Sequence, residues 1–268
     1  MRNKNIKPKI SIGMPVFNGQ KYISEALDSL LAQTFTDFEL IISDNASTDN
    51  TQEVCQQYEK MDSRVIYIRQ PNNIGAISNF SFVRDRAHGE FFMWAAHDDR
   101  WDTKFIESTL KVFNEHPNVG LVFSNFIIRN LDTKDELKVH VKALDYDNKL
   151  LNYIVGILNM CPSLIYGVFK INLIKDVQLE SYDFADVQVI SDLSMKTKIK
   201  VINEYLYVAG TKGERKPYSL SHKKIQRMPF LRKQHQMLNR YFSFPIRDIL
   251  FLFTCAFMLY NKIRLWRY

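Results

Sequence analysis

The chain has 268 residues, 46% of them hydrophobic and 24% charged, with a formal net charge of +7. That size and balance fit one large folded domain with a small appendage, and exclude a disordered, collagen-like or disulfide-stapled chain. Cys55, Cys161 and Cys255 match no metal-ligand spacing and their sparse use fits a reducing compartment; residues 1–10 lack the apolar stretch of a secretory leader, so the cytoplasm is the expected location.

The first half alternates short apolar runs with amphipathic segments. Residues 9–14 read as a buried strand. In 20–33, Tyr22, Ile23, Ala26, Leu27, Leu30 and Leu31 recur at helical spacing. A second strand is expected at 38–43, and capping residues from Ser47 open a helix that runs to about Lys60. Then follow a strand at 64–69, a helix at 75–88, a strand at 90–95, a helix at 103–115 and a strand at 119–125. Such alternation predicts a parallel sheet covered on both faces, with right-handed crossovers. Beyond 126 the rhythm changes: 126–142 reads as irregular strands, 150–158 and 183–196 as helices, 163–169 and 199–209 as extended. No internal repeat or low-complexity tract interrupts the chain.

Polar residues collect just after the expected strands. Pro15, Asn18 and Gly19 follow the first; Asp44, Asn45, Ser47 and Asp49 the second; Asn72, Asn73 and Gly75 the third; His97, Asp98 and Asp99 the fourth. In an open parallel sheet these loops share the carboxyl edge, where ligands bind. Two adjacent carboxylates at a strand end repel unless a cation or hydrogen-bond donors intervene. Hard divalent ions take oxygen ligands and often bridge a carboxylate to a diphosphate. Taken alone, Asp98 and Asp99 would more simply cap the next helix; among four polar loops on one edge, a metal and donor site is the better reading.

These segments also resemble a known family. ISIGMPVFNG from Ile10, LIISDNASTD from Leu40, NIGA from Asn73 with Asn79, and the stretch from Gly89 to His97-Asp98-Asp99 are similar, in order and spacing, to the four sheet-edge motifs of family 2 glycosyltransferases. The resemblance covers about 8–125. It implies a GT-A fold, an α/β architecture whose mixed, mainly parallel sheet is flanked by helices. It also implies inverting transfer of a sugar from a nucleoside diphosphate sugar, by default a UDP- or dTDP-sugar, to an acceptor hydroxyl. The catalytic domain would span 1–210, with a nucleotide-binding half to about 125 and an acceptor half from 126.

By the same resemblance, Asp44 recognises the nucleotide base and Pro15, Val16, Phe17 and Asn18 lie along the nucleoside. Asn73, Gly75 and Asn79 belong to the third donor loop. Asp98 sits near the ribose and metal, and Asp99 is the direct ligand of Mn²⁺ or Mg²⁺. His97 begins a variant of the usual Asp-x-Asp motif. The base that takes the acceptor proton falls on Asp186, which begins a helix leading to a strand that ends near Glu204; Asp192 and Asp183 are its rivals. Tyr166 and Gly167 would lie near the donor sugar. An Arg-rich loop of the family is here replaced by 211–217, where Lys212, Arg215 or Lys216 could meet the diphosphate.

The charge is uneven. Residues 211–268 hold 13 Lys and Arg against 2 acidic residues, leaving a mildly acidic body. The apolar run 249–260 is about half of the ~20 residues that span a bilayer. Cations and Trp266 flank it, which suits a basic amphipathic helical tail lying on anionic lipid. Docking of this run on the body or on another subunit is the plainer alternative. A lipid-linked or other glycan acceptor, used in surface polysaccharide or lipopolysaccharide assembly, would suit a membrane-side enzyme. Nucleic acid is not an expected partner, because the tail's aromatics cluster in an apolar block and do not interleave with its cations. Two further readings use the same residues: a nucleotide-sugar-binding protein without turnover, and a nucleotidyltransferase. The latter would call for a Gly-rich basic loop after the first strand, which 15–21 is not.

Overall fold

The computed structural model describes residues 7–159, 161–180, 185–212 and 227–241, together with Leu250 and Thr254. Three βα units open the chain: β1 (Ile10–Val16), α1 (Ile23–Leu31), β2 (Phe38–Asp44), α2 (Thr51–Met61), β3 (Val65–Arg69) and α3 (Ala76–Asp85). Then come β4 (Phe91–Trp94), a two-residue β5 (Arg100–Trp101) and α4 (Phe105–Glu115). The second half contains β6 (Val119–Asn130), β7 (Glu136–Val139), α5 (Lys149–Leu158), β8 (Val168–Lys170), α6 (Ala185–Lys196), β9 (Lys198–Thr211) and α7 (Arg227–Tyr241).

The described strands form one sheet in the order β3-β2-β1-β4-β8-β6-β9-β5, with β7 paired to β6. Strands β1, β2, β3 and β4 run parallel, as do β6 and β9, whereas β5, β7 and β8 join antiparallel. Every residue of β1, β2 and β4 is buried, as a strand with helices on both faces requires. This explains why 38–43 reads as an unbroken apolar run with no alternation. The largest buried rings gather under β4: Trp94 meets Phe92 and Phe169 edge to face, with centroids 4.8 and 5.6 Å apart.

Two sequence expectations change. Residues 126–142 form a β6–β7 hairpin that prolongs the sheet. Of the segment 163–169, expected to be extended, Pro162–Tyr166 is a 3-10 turn and only β8 is strand. Pro162 sits in its first turn with a fixed φ, and the Leu164 amide donates to the Cys161 carbonyl at 3.1 Å. An apolar run carries no mark that separates these two outcomes.

Asp183 and much of 211–268 lie outside the described residues. Within that tail, Met237 and Leu238 of α7, Leu250 and Thr254 are buried in a small cluster with Tyr153 and Ile157 of α5 and Met195 of α6. The Tyr153 and Thr254 hydroxyls share a hydrogen bond, and Thr254 donates to the Leu250 carbonyl at 2.9 Å. At these two positions the apolar run 249–260 packs on the body. Among the described residues no helix is long and apolar enough to cross a membrane.

One tie joins the two halves of the sheet. The loop after β4 carries Asp99, only 4% exposed. Its Oδ2 accepts the Tyr207 hydroxyl and its Oδ1 the Gly210 amide at 2.8 Å, both from β9. Burial pushes this carboxyl up to about 7, against the two donors, which favour the charged form. Tyr207→Phe keeps the ring and removes one donor from a buried carboxylate. It should lower the unfolding free energy by about 1.5–3 kcal/mol, the range for bonds to charged groups. Urea unfolding at an unchanged m-value checks this, and an unaltered midpoint would mean that the tie carries no weight.

Candidate functional site

The carboxyl ends of β1, β2, β3 and β4 lie side by side because these strands are parallel neighbours. The loops that follow are held in unusual backbone conformations. Asn18 (φ 53°), Ala46 (φ 59°) and Gly75 (φ 84°) all have positive φ, one in each of the first three loops. For Ala46 this costs roughly 1–2 kcal/mol, which the surrounding bonds must offset. They are numerous. The Asn18 amide donates to Ser47 Oγ at 2.9 Å, the Thr48 amide to Asn18 Oδ1 at 2.8 Å, and the Gly19 amide to Thr51 Oγ1 at 2.8 Å. Gly19 is also required by space: a Cβ there would come within 2.6 Å of Val16 and 3.0 Å of the His97 ring.

Between the first and third loops is a recess of about 140 Å³ lined by Pro15, Val16, Phe17, Asn45, Asn73, Ala76, Asn79 and Phe80. Phe17 is 45% exposed at its mouth. Asn45 Nδ2 donates to Asn73 Oδ1 at 3.0 Å, and the Ile74 amide donates to Asn45 Oδ1 at 2.8 Å, so Asn45 fixes the facing wall. Asn79 is a rivet beneath: it accepts from Ser43 Oγ at 2.6 Å and donates to the Ser43 carbonyl at 2.8 Å.

Asp44, expected to recognise the base, is held within the protein by bonds on both oxygens. It is fully buried and does not line the recess. Its Oδ1 accepts the Ser47 amide at 2.8 Å; its Oδ2 accepts the Tyr67 hydroxyl and Arg69 Nη1, both at 2.7 Å. Those bonds shape the turn after β2, and the next residue, Asn45, is the one that reaches the recess.

The carboxylate pair after β4 divides in the same way. Asp99, the residue expected to bind metal, has both oxygens engaged by β9. Asp98 is 21% exposed, and its Oδ2 lies 3.5 Å from Lys212 Nζ at the end of β9. Lys212 also sits 4.9 Å above the Tyr22 ring. Burial holds the His97 imidazole below its ordinary range, while the Asp98 charge acts the other way. Among the described residues no three His, Cys, Asp or Glu side chains form a metal cage. One open carboxylate still fits a hard divalent ion that takes its remaining oxygens from a diphosphate and water.

Asp186 opens α6, and its Oδ1 accepts the Val187 amide at 2.8 Å. Burial raises its carboxyl above the ordinary range, against these backbone bonds. Tyr166 connects it to the pair: its hydroxyl is pushed up by burial and by the charges of Asp99, Asp98 and Asp186 together. The Tyr166 and Tyr207 rings lie 6.1 Å apart, and the Tyr207 hydroxyl is the one bonded to Asp99. Asp192, the rival base, pairs instead with Lys196 one turn further along α6.

The family description "Glycosyl transferase family 2" matches residues 11–170. A putative teichuronic acid biosynthesis glycosyltransferase, TuaG, of Bacillus subtilis is 32% identical over 58% of this chain and 62% of its own length. A GalNAc(5)-diNAcBac-PP-undecaprenol beta-1,3-glucosyltransferase of Campylobacter jejuni is 34% identical over 45% of this chain and 39% of its own. The chain therefore spans less than two thirds of the length of these curated relatives. Among solved structures, S. aureus TarS 1-349 in complex with UDP-GlcNAc superposes with a TM-score of 0.68 at 18% identity, over 91% of this chain and 70% of that one. A mannosyltransferase of Pyrobaculum calidifontis, solved with GDP-Man and Mn2+, gives 0.59 at 16% identity, over 94% and 70%. At such identity these likenesses speak of fold alone. The matched family covers β1 to β8 and every loop of the recess, and the chain belongs to glycosyl transferase family 2, with a GT-A fold.

Proposed function

We propose that the protein transfers a sugar, with inversion, from a nucleoside diphosphate sugar to a hydroxyl of a glycan or lipid-linked glycan, in the building of a surface polysaccharide. The observation that carries this reading is the row of sheet-edge loops within the family 2 match, where Asp98 stays partly open beside Lys212 and a recess of about 140 Å³ lies between the first and third loops. UDP or dTDP is the default donor; the UDP-GlcNAc complex of a neighbour of the same fold supports a uridine. Phe17 and Asn45 lie along the base, with Asp44 holding the turn from below.

The acceptor hydroxyl gives its proton to the Asp186 carboxylate as its oxygen attacks the anomeric carbon. The bond from that carbon to the diphosphate breaks on the opposite face, and its electron pair leaves with the nucleotide. Lys212 is placed to neutralise the departing charge. Asp98 would hold the Mn²⁺ or Mg²⁺, which when bound supplies Lewis-acid neutralisation of the diphosphate. Asp99 keeps Asp98 and Lys212 in register and does not touch the ion. The surplus of cations in 211–268 supports peripheral contact with an anionic membrane, alongside the docked Leu250 and Thr254.

Two measurements test this. With Mn²⁺ present, isothermal titration of UDP-, dTDP- and GDP-sugars should find one donor class that binds. Asp98→Ala should weaken that binding at least tenfold, and metal should no longer enhance it. Binding of no nucleotide sugar at millimolar concentration would defeat the reading. Asp186→Asn should lower kcat by about 10²–10⁴-fold with donor affinity little changed. In the wild type, kcat/KM should fall on the acid side at a pH above the usual carboxylate value of about 4, because burial raises the Asp186 carboxyl and only its ionised form accepts the proton. An acid limb that survives in Asp186→Asn would assign the base to another group.

A further inference from the structure

Strand β9 ends at Thr211, and Lys212 follows it beside the carboxylate pair. The strand end is fixed from two sides. On one side Thr211 lies opposite Asn130 of β6; its carbonyl accepts the Leu131 amide at 2.8 Å and its hydroxyl donates to the Arg129 carbonyl at 3.3 Å. On the other side the Gly210 amide is bonded to Asp99, and Gly210 lies so close to the Asp98 carbonyl that no Cβ fits between them. With the preceding backbone held in this way, the Lys212 side chain has few places to put its charge.

It uses two of them. Lys212 Nζ lies 3.5 Å from Asp98 Oδ2 and 4.9 Å above the ring of Tyr22, the residue that precedes α1. An ion pair between partly exposed side chains contributes little to stability, so stability does not explain this arrangement. What the pair does decide is the charge that an arriving ion meets.

Asp98 is the open carboxylate, because Asp99 has both oxygens bonded to β9. While Lys212 lies on Asp98, that negative charge is already matched, and the ammonium repels any divalent cation that approaches it. A diphosphate alters the balance. It offers several negative charges, and an ammonium binds phosphate as a compact point charge. Lys212 then has a stronger partner than one carboxylate, and the Tyr22 face keeps a partner for it as it moves.

We propose that Lys212 is a built-in stand-in for the metal ion: it holds the cation position beside Asp98 in the free protein and moves to the diphosphate when a donor binds. The proposal rests on the transferase reading and adds an order to it. The free protein binds divalent ions poorly, and nucleotide and ion bind together. Lys212 thus keeps Asp98 neutralised until a diphosphate arrives.

Mn²⁺ binding to the full chain without nucleotide, followed by the electron paramagnetic resonance signal of the free ion, tests the stand-in. Lys212→Met keeps the stem and removes the charge, and should tighten Mn²⁺ binding by roughly fivefold or more. Lys212→Arg, which keeps the charge, should stay close to the wild type. Adding Asp98→Ala to Lys212→Met should abolish the gain. Calorimetric titration of UDP, dTDP and GDP with Mn²⁺ present should identify the nucleotide that binds. Lys212→Met should hold that nucleotide more weakly, by about threefold or more. Opposite shifts from one substitution cannot come from loss of fold, which would weaken both. Mn²⁺ binding that is unchanged or weaker in Lys212→Met, or a gain that survives the loss of Asp98, would overturn the proposal. Nucleotide affinity left intact by Lys212→Met would overturn the move to the diphosphate. If no nucleotide bound the wild type while Lys212→Met still gained Mn²⁺ affinity, the transferase reading would fall and the competition at Asp98 would stand.

Discussion

The buried carboxylate of Asp99 is the joint on which the site depends. It lies in the loop after β4, the last of the parallel strands β1 to β4, yet both its bonds go to β9, the longest strand of the second half. A carboxylate this deep is tolerated only with donors on both oxygens. The Gly210 amide and the Tyr207 hydroxyl meet that need, and so set where β9 ends relative to the loop. Gly210 must remain without a side chain, because a Cβ would stand 2.1 Å from the Asp98 carbonyl oxygen. Consequently Asp98, one residue before the joint, and Lys212, two residues after Gly210, face one another across a fixed gap.

A similar economy operates at β2. Asp44 is buried and engaged, and the residue after it reaches the recess. In both loops one carboxylate is buried and bonded within the protein while its neighbour stays open. The polar bridges between the first and second loops then hold Asn18 and Ala46 in left-handed conformations that neither would choose alone. Rigid donor loops of this kind reduce the ordering that binding must impose on the protein.

Much of the first half was legible in the sequence. Apolar runs and helical spacing located β1 to β4 with their helices to within a few residues, and the four polar clusters fall together at one edge of the sheet. The division of labour inside each cluster was not legible. Asp98 and Asp99 are the same residue type, and only burial and the approach of β9 from more than a hundred residues away tell them apart. In the second half, β5 is two residues long and gives no periodicity to read, and the 3-10 turn at Pro162–Tyr166 looks like a strand until its neighbours are known.

The proposed base, Asp186, illustrates how such opposed influences add up. As the second residue of α6, Asp186 sits where the helix dipole and free amides favour an anion, and the Val187 amide takes up one oxygen. Burial works the other way and is the stronger influence, so the carboxyl is raised. A carboxyl raised in this way would, as the proposed base, take a proton from a sugar hydroxyl more readily than one at its ordinary value.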